Sequence, residues 1–317
     1  MSDAKPDHCG IADAVREAVL RRILAYPSAS VPALDIAGLA ATWSAEPDAR
    51  NVAGAMMELS GEQLGRFAED GFLILPELFT AEEVALLRDE LGDLFAEHRP
   101  ENFREKASGK VRTAMGLHQR NEVYARLVRH PRLIGPALQI LGEPVYIQQV
   151  KVNAKEAFSG EVWQWHYDFA THHGEDGVPK PLALNLHVFL DGVGEFNGPL
   201  VFIRGSHRHG PQPATLDTVT TSYPLWCVDN ETVTRLVSDG GLVAAKGPPG
   251  TALIFGDCMV HGSPSNMSPW PRRIFSLIVN PVSNALTNET RPEHQHHRDL
   301  TPVTPLDDDC LIAGVAA

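Results

Sequence analysis

The chain has 317 residues, a formal net charge of -13, 43% hydrophobic and 21% charged residues. That is an ordinary balance for a globular protein, with length for roughly two domains or one large β-barrel. The acidic excess leaves no electrostatic footprint for nucleic acid or an anionic membrane surface, and no apolar run approaches the ~20 residues that span a bilayer. The first residues lack a basic start followed by an apolar core, so no secretory signal is read and a cytoplasmic protein is expected. Cys9, Cys227, Cys258 and Cys310 are far apart and show no CxxC spacing, which suits buried thiols better than a zinc knuckle or a disulfide framework.

Residues 11–26 place Ile11, Val15, Ala18, Leu20, Ile23 and Leu24 near one side of an amphipathic helix. Residues 27–60 are rich in Pro, Ser, Ala and Asp, with a short helical piece around Ile36 to Trp43, and read as a connector. Residues 1–58 are thus expected to form a helical extension, dispensable for the chemistry, and 59–317 the main domain. Ser60-Gly-Glu-Gln63 and Thr80-Ala-Glu-Glu83 are capping boxes that open two helices. The second should carry Val84, Leu86, Leu87, Leu91, Leu94 and Phe95. Gly71 to Pro76 reads as a strand between them, and Glu97 to Lys110 as a polar, mobile segment.

From Val145 to Asn153 the alternation predicts a strand with Ile147, Gln149, Lys151 and Asn153 on one face and Val150 and Val152 on the other. Pro181 to Leu190 repeats the pattern, with Leu184, Leu186, Val188 and Leu190 opposite Ala183, Asn185, His187 and Phe189. Polar residues on an inner face mark a ligand cavity. Further short strands at 199–203, 251–255 and 273–279, separated by Gly, Pro and Asn turns, suit a mainly β protein with flanking helices. The expected architecture is a double-stranded β-helix, or jelly roll, whose closed interior can hold a small ligand.

Trp163-Gln-Trp-His-Tyr-Asp168 also reads as a strand, which would point His166 and Asp168 to one side. A nitrogen and a carboxylate oxygen on one face are half of a chelate, and His261, at the end of the apolar run from Thr251, is the candidate third ligand. Two His and one carboxylate on one side of an ion leave neighbouring positions open, the facial arrangement of non-haem Fe(II) oxygenases. Three open positions suffice for a bidentate 2-oxo acid and dioxygen. The distal carboxylate of that acid needs a fixed guanidinium, and Arg272, eleven residues beyond His261, is the candidate. His294, His296 and His297 lie in a charged and polar tail and are expected to be solvated.

Several stretches carry a family resemblance: His130-Pro-Arg-Leu-Ile-Gly-Pro-Ala-Leu-Gln-Ile-Leu141, Tyr146-Ile-Gln-Gln-Val-Lys-Val-Asn153, Trp165-His-Tyr-Asp-Phe169, Glu175-Asp-Gly-Val-Pro179, Asn197-Gly-Pro-Leu200, Gly205-Ser-His207 and His261 through Arg272. From about Leu73 to Asn284 the sequence resembles the phytanoyl-CoA dioxygenase superfamily of Fe(II)/2-oxoglutarate oxygenases, within it the ectoine hydroxylases and bacterial trans-4-proline hydroxylases. The resemblance implies Fe(II) at His166, Asp168 and His261, with 2-oxoglutarate on Arg272 and near Gln149, Asn153, Asn185 and Ser263. At the Asn185 position the ectoine hydroxylases carry Ser. It also implies hydroxylation of an unactivated C–H bond, coupled to conversion of 2-oxoglutarate to succinate. In related halogenases a small residue replaces the carboxylate that Asp168 supplies here, so hydroxylation is expected.

The substrate is expected to be a small free amino or imino acid, since an acyl-CoA would call for a basic entrance that this acidic chain lacks. Arg112 and His118, which match positions before the same strand in those families, are candidates for its carboxylate, and Trp163 is placed with them at the substrate. His172 stands where the ectoine hydroxylases carry Trp, which favours a free amino acid such as L-proline or L-pipecolic acid over ectoine. Two other classes fit less well. A zinc hydrolase would want a nearby general base, and a pure jelly-roll binding protein need not keep a redox-competent ligand set.

Overall fold

Ser60 and Thr80 close both capping boxes. Ser60 Oγ accepts the Gln63 amide while Gln63 Oε1 accepts that of Ser60, and Thr80 with Glu83 repeats the exchange, each cap stabilising its helix by about 1 kcal/mol. The computed structural model describes residues 56–313, so the expected helix at 11–26, the connector before Met56 and Cys9 lie outside the described residues. In chain order the first elements are α1 (Gly61–Asp70), β1 (Phe72–Leu75), α2 (Ala81–Asp89), α3 (Leu91–Ala96), β2 (Asn102–Arg104), β3 (Val111–Met115), α4 (Glu122–Leu127), α5 (Pro131–Leu141) and β4 (Val145–Lys155). Then come β5 (Trp163–His166), α6 (Asp168–Gly174), β6 (Leu184–Phe189), β7 (Val201–Ile203), β8 (Ala214–Asp217), β9 (Leu225–Val228), α7 (Asn230–Gly240), β10 (Leu242–Ala244), β11 (Ala252–Gly256), β12 (His261–Ser263) and β13 (Arg272–Pro281). The second capped helix is thus broken at Glu90, and its apolar residues are shared between α2 and α3.

A seven-stranded antiparallel sheet in the order β1-β11-β6-β13-β4-β3-β2 faces a four-stranded one in the order β10-β7-β12-β5, and β8 and β9 form a separate hairpin. This is the expected jelly roll. The alternation read in β4 and β6 explains how it closes. Val150, Val152, Leu184, Leu186 and Val188 pack outward under Leu87, Leu91, Leu133 and Ile134 of the helices, while Phe189, Phe255 and Ile274 meet Phe202 and Val243 of the small sheet. Each buried Leu, Ile or Phe contributes about 1.5–3 kcal/mol, so the helices are held by the outer face and the cavity is left to the polar inner one. Gly71 ends α1 with φ +85, and a Cβ there would collide with His207 and Met259. No helix among the described residues is long and apolar enough to cross a membrane.

Three expectations need correction. Ile147 does not share the face of Gln149: Ile278 pairs with Gln149 and Val279 with Ile147, so Gln148 is an extra, bulged residue and Ile147 turns to the outer core. Glu97 to Lys110 contains β2, paired to β3, and Glu105 is buried because its carboxylate accepts the Glu161 amide. The C-terminal histidines are not a solvated tail either. His296 and His297 are 1% and 2% exposed, drawn in because His296 Nδ1 lies 2.8 Å from buried Asp176 and the His297 amide donates to Gln148. Cys258 and Cys310 are buried thiols, whereas Cys227 is half-buried.

Candidate metal centre

β5 and β12 are neighbours in the small sheet, and their register sets His166 directly opposite His261, with ring centroids 4.1 Å apart. Each imidazole is turned by its own backbone. His166 Nδ1 lies 2.6 Å from Gln164 O and His261 Nδ1 2.8 Å from Met259 O. A carbonyl can only accept, so the proton sits on Nδ1 and both Nε2 lone pairs are free for a ligand. The strand expected through Asp168 ends at His166. Tyr167 is still extended, at φ -136 and ψ 144, and Asp168 opens α6; the extended step carries its carboxylate to the side of His166 although the residue is helical.

Asn185 of β6 donates to Asp168 Oδ2 at 2.9 Å, leaving Oδ1, 3.8 Å from His166 Nε2. Ligand atoms of His166, Asp168 and His261 all lie within 4.8 Å of one another. Burial pushes the His166 imidazole down to about 3 and also lowers that of His261, with the Asp168 carboxylate opposing. Burial alone would raise Asp168, but His261, His166 and Lys151 hold it well below the usual carboxylate range. Two neutral nitrogens and one carboxylate oxygen on one side of a cavity fit a divalent transition metal with open positions opposite.

Arg272 lies across the same cavity. It is 1% exposed, its Nη2 donates to Ser263 Oγ at 3.2 Å, and its Nε has no partner among the described residues. Among the described residues no carboxylate pairs with it. Burial, helped by the Arg112 cation, pulls its guanidinium down to about 9, with Asp191 opposing. A buried cation without an acid is costly, and a dicarboxylate bound in the cavity would supply the missing charge.

Comparison with known proteins identifies the family. The phytanoyl-CoA dioxygenase family model matches residues 67–274. The chain belongs to the phytanoyl-CoA dioxygenase family. This dioxygenase is 39% identical over 256 residues to L-proline trans-4-hydroxylase of Streptomyces griseoviridis, covering 78% of the chain and 96% of the relative. It is 36% identical over 265 residues to the ectoine dioxygenase of Bordetella bronchiseptica, covering 78% and 86%. Among solved structures, EctD from S. alaskensis with 2-oxoglutarate and 5-hydroxyectoine superposes at a TM-score of 0.70 with 34% identity, covering 78% of this chain and 88% of that one. The same protein with bound Fe gives 0.70 at 32%, covering 81% and 91%. The chain is an Fe(II)- and 2-oxoglutarate-dependent dioxygenase with the jelly-roll fold of that class.

The dioxygenase cavity, about 670 Å³ including the space at its mouth, brings together most of the residues singled out in the sequence. Gln149, Asn153, Trp163, His172, Asn185 and Ser263 line it alongside the three ligand candidates and Arg272. Their partners differ in kind. Asn153 Oδ1 accepts from Thr113 at 2.9 Å; Ser263 Oγ donates to Gly198 O. Gln149 ties Lys151 to the carbonyl of Gln295. His172 Nδ1 lies 2.9 Å from Asp257 Oδ1; burial lowers its imidazole, but the charge and hydrogen bond of Asp257, with the Asp168 charge, together leave it raised.

Arg112 and His118 are not brought to the cavity. The Arg112 guanidinium lies behind Trp163, 4.0 Å from the ring centroid, and is bound to Glu161 Oε2 at 2.8 Å and the Val162 carbonyl at 3.0 Å. His118 sits in a short turn, edge-on to His297 at 4.6 Å, where burial pushes it down to about 4. Instead the cavity holds Lys151, Arg291 and Tyr223, to which sequence reasoning gave no role. Lys151 was legible as an inner-face residue. Arg291 was hidden in the tail, and its one signal is Asp176, an acid inside Glu-Asp-Gly-Val-Pro that needs a cation: Arg291 Nε donates to Asp176 Oδ1 at 2.8 Å.

Proposed function

We propose that this dioxygenase hydroxylates a small free amino or imino acid of the proline type, with His166, Asp168 and His261 holding one Fe(II) and Arg272 holding 2-oxoglutarate. The observation that carries the reading is the single cavity in which a neutral two-imidazole, one-carboxylate set faces an unpaired buried guanidinium. Bound Fe(II), with 2-oxoglutarate and dioxygen, supplies the oxidising power to hydroxylate a C–H bond while 2-oxoglutarate becomes succinate and CO₂. The chain's own residues bind and orient. Asn185 fixes the Asp168 carboxylate, the Gln164 and Met259 carbonyls fix the imidazoles, and Ser263 fixes one edge of Arg272. Asp168 keeps a position that a chloride would otherwise take, which favours hydroxylation over halogenation.

For the substrate carboxylate, Lys151 now stands before Arg112 and His118, because it lines the cavity; Arg291 lines it too, but Asp176 already holds its guanidinium. Lys151 has no carboxylate partner among the described residues, and burial lowers its ammonium, with Asp168 opposing; a carboxylate there would relieve that cost. Trp163 and Tyr223, 5.4 Å apart between ring centroids, supply an apolar wall for a compact ring, and His172 borders the same space. A space bounded by the metal ligands, Arg272 and these two rings takes a compact ring bearing a carboxylate and a nitrogen more readily than an acyl-CoA. The identity of 39% to a proline hydroxylase favours the same substrate class, while the ectoine dioxygenases at 36% make ectoine the second reading. A zinc hydrolase would leave Arg272 without purpose.

The test is a panel of L-proline, L-pipecolic acid, ectoine and an acyl-CoA, scored by substrate-dependent succinate release and product mass. Turnover is expected with the imino acids; turnover confined to ectoine or the acyl-CoA overturns the substrate assignment. We also assign the chemistry wholly to residues beyond 58. Met57 and Leu59 pack on α5, where the Met57 carbonyl leaves Gly135 no room for a Cβ and Leu59 exchanges hydrogen bonds with Gln139, so a truncation should start at Met56. The shortened enzyme is expected to bind iron and turn over within about twofold of the full chain, at lower solubility if removing the helix expected at 11–26 exposes an apolar face. Loss of iron binding would contradict it.

A further inference from the structure

We propose that Glu161 is a positioning residue: its carboxylate holds the aromatic wall of the cavity and the hairpin that covers it, so that the substrate's reacting C–H bond is fixed and water is kept out. The proposal rests on the hydroxylase reading above. Glu161 lies in the loop before β5 and gathers three segments remote in sequence. Its Oε2 accepts Arg112 Nη1 of β3 at 2.8 Å, the Ser222 amide at 2.7 Å and Ser222 Oγ at 2.6 Å, and its Oε1 accepts the Lys106 amide at 3.0 Å. Ser222 belongs to the turn between β8 and β9.

Two lines of contact leave this carboxylate and meet again at the cavity. In one, Glu161 pins the Arg112 guanidinium, which is 1% exposed and stacks on the back of Trp163 at 4.0 Å. In the other, Ser222 fixes its neighbour Tyr223, whose ring packs on Trp163 at 5.4 Å and edge-on against Phe103 at 5.2 Å. Trp163, Tyr223 and Leu225 all line the cavity, so the circuit is closed by the wall itself. The turn has little core of its own: Val219 is 79% exposed, and the other side-chain ties to it are Lys106 Nζ on the Val219 carbonyl at 2.9 Å and Gln164 on Asp217 at 2.9 Å. Segments with few buried contacts open at low cost. A carboxylate that accepts two hydrogen bonds from Ser222 in that turn is therefore the group that sets how long it stays shut, because hydrogen bonds to a charged group are the strong ones.

The experiment compares wild type, Glu161→Ala, Glu161→Gln and Ser222→Ala as iron-loaded full-length enzymes. Hydrogen exchange is read over residues 217–225 and over β4, and coupling is read as hydroxylated product per succinate with L-proline as probe. Glu161→Ala is expected to speed exchange at 217–225 about tenfold with β4 unchanged, to raise the L-proline requirement about tenfold and the 2-oxoglutarate requirement less than twofold, and to lower coupling several-fold. Glu161→Gln, which keeps an acceptor but loses the charge facing Arg112, should recover part of the coupling, and Ser222→Ala should fall between it and wild type. A folded Glu161→Ala whose coupling stays within about 1.5-fold of wild type overturns the proposal, whatever its thermal stability. Should Glu161→Ala fail to fold, the same readouts on the other two variants decide. A wild type that releases no succinate with any substrate sinks the hydroxylase reading instead, and exchange at 217–225 then decides the latch alone.

Discussion

Replacing His261 with alanine is expected to lower turnover roughly a thousandfold or more, about 4 kcal/mol of barrier, while the protein stays folded. The imidazole is presented by a three-residue strand with its Nε2 aimed into the cavity, and its other nitrogen is already satisfied by the Met259 carbonyl. Alanine removes a donor atom without breaking a strand pairing, since β12 is held through its backbone to β5 and β7. The cavity it leaves borders Phe202 and Phe255, so a modest loss of stability is expected from their lost packing. His166→Ala and Asp168→Ala should do the same. Iron content, circular dichroism and succinate release measured together check the assignment: an active His261→Ala enzyme, or one that retains iron as tightly as wild type, contradicts it. Unfolding would show instead that the imidazoles hold the small sheet together.

The fold and the ligand candidates were legible where one strand had two chemically different faces. In β4 and β6 an apolar outer row faces the helices and a polar inner row faces the cavity, so alternation alone separated Val150 from Gln149 and Leu186 from Asn185. Periodicity failed where the backbone departs from it. The extra residue at Gln148 turned Ile147 outward, and the helix beginning at Asp168 ended a strand that composition would have continued. The small sheet was hard to read because its strands run to three or four residues, too few for a pattern. The tail was misread for another reason. Arg291, His296 and His297 look solvated by local composition, and what buries them is Asp176 and Gln148, more than a hundred residues away. Arg112 shows the converse: a cation in the right place along the chain was claimed by Glu161 and Trp163 before any substrate could use it.

Arg272→Ala is expected to raise the 2-oxoglutarate requirement about a hundredfold and the L-proline requirement less than about threefold. A guanidinium holding a carboxylate makes charge-assisted hydrogen bonds worth roughly 1.5–3 kcal/mol each, and every ~1.4 kcal/mol is a factor of ten in binding. Ser263 and Asn153, which line the same cavity, offer only neutral groups and do not replace that charge. Stability should move the other way. Burial holds the folded-state pKa of Arg272 at about 9, well below the ordinary guanidinium value, so the folded chain binds this proton less tightly than the unfolded one. The cost of the buried charge is therefore fully present at every pH below about 9 and is relieved only as pH rises above that value. Removing the side chain removes that cost, and the ligand-free variant is expected to melt no lower than wild type despite the space it leaves. Wild type should be stabilised by added 2-oxoglutarate and the variant should not. Arg272→Lys keeps a charge but loses the two-pronged geometry, and its requirement should lie between the two. Equal rises in both requirements, or a variant still stabilised by 2-oxoglutarate, would move the co-substrate to another cation, and Lys151 and Arg291 are the two that line the same cavity.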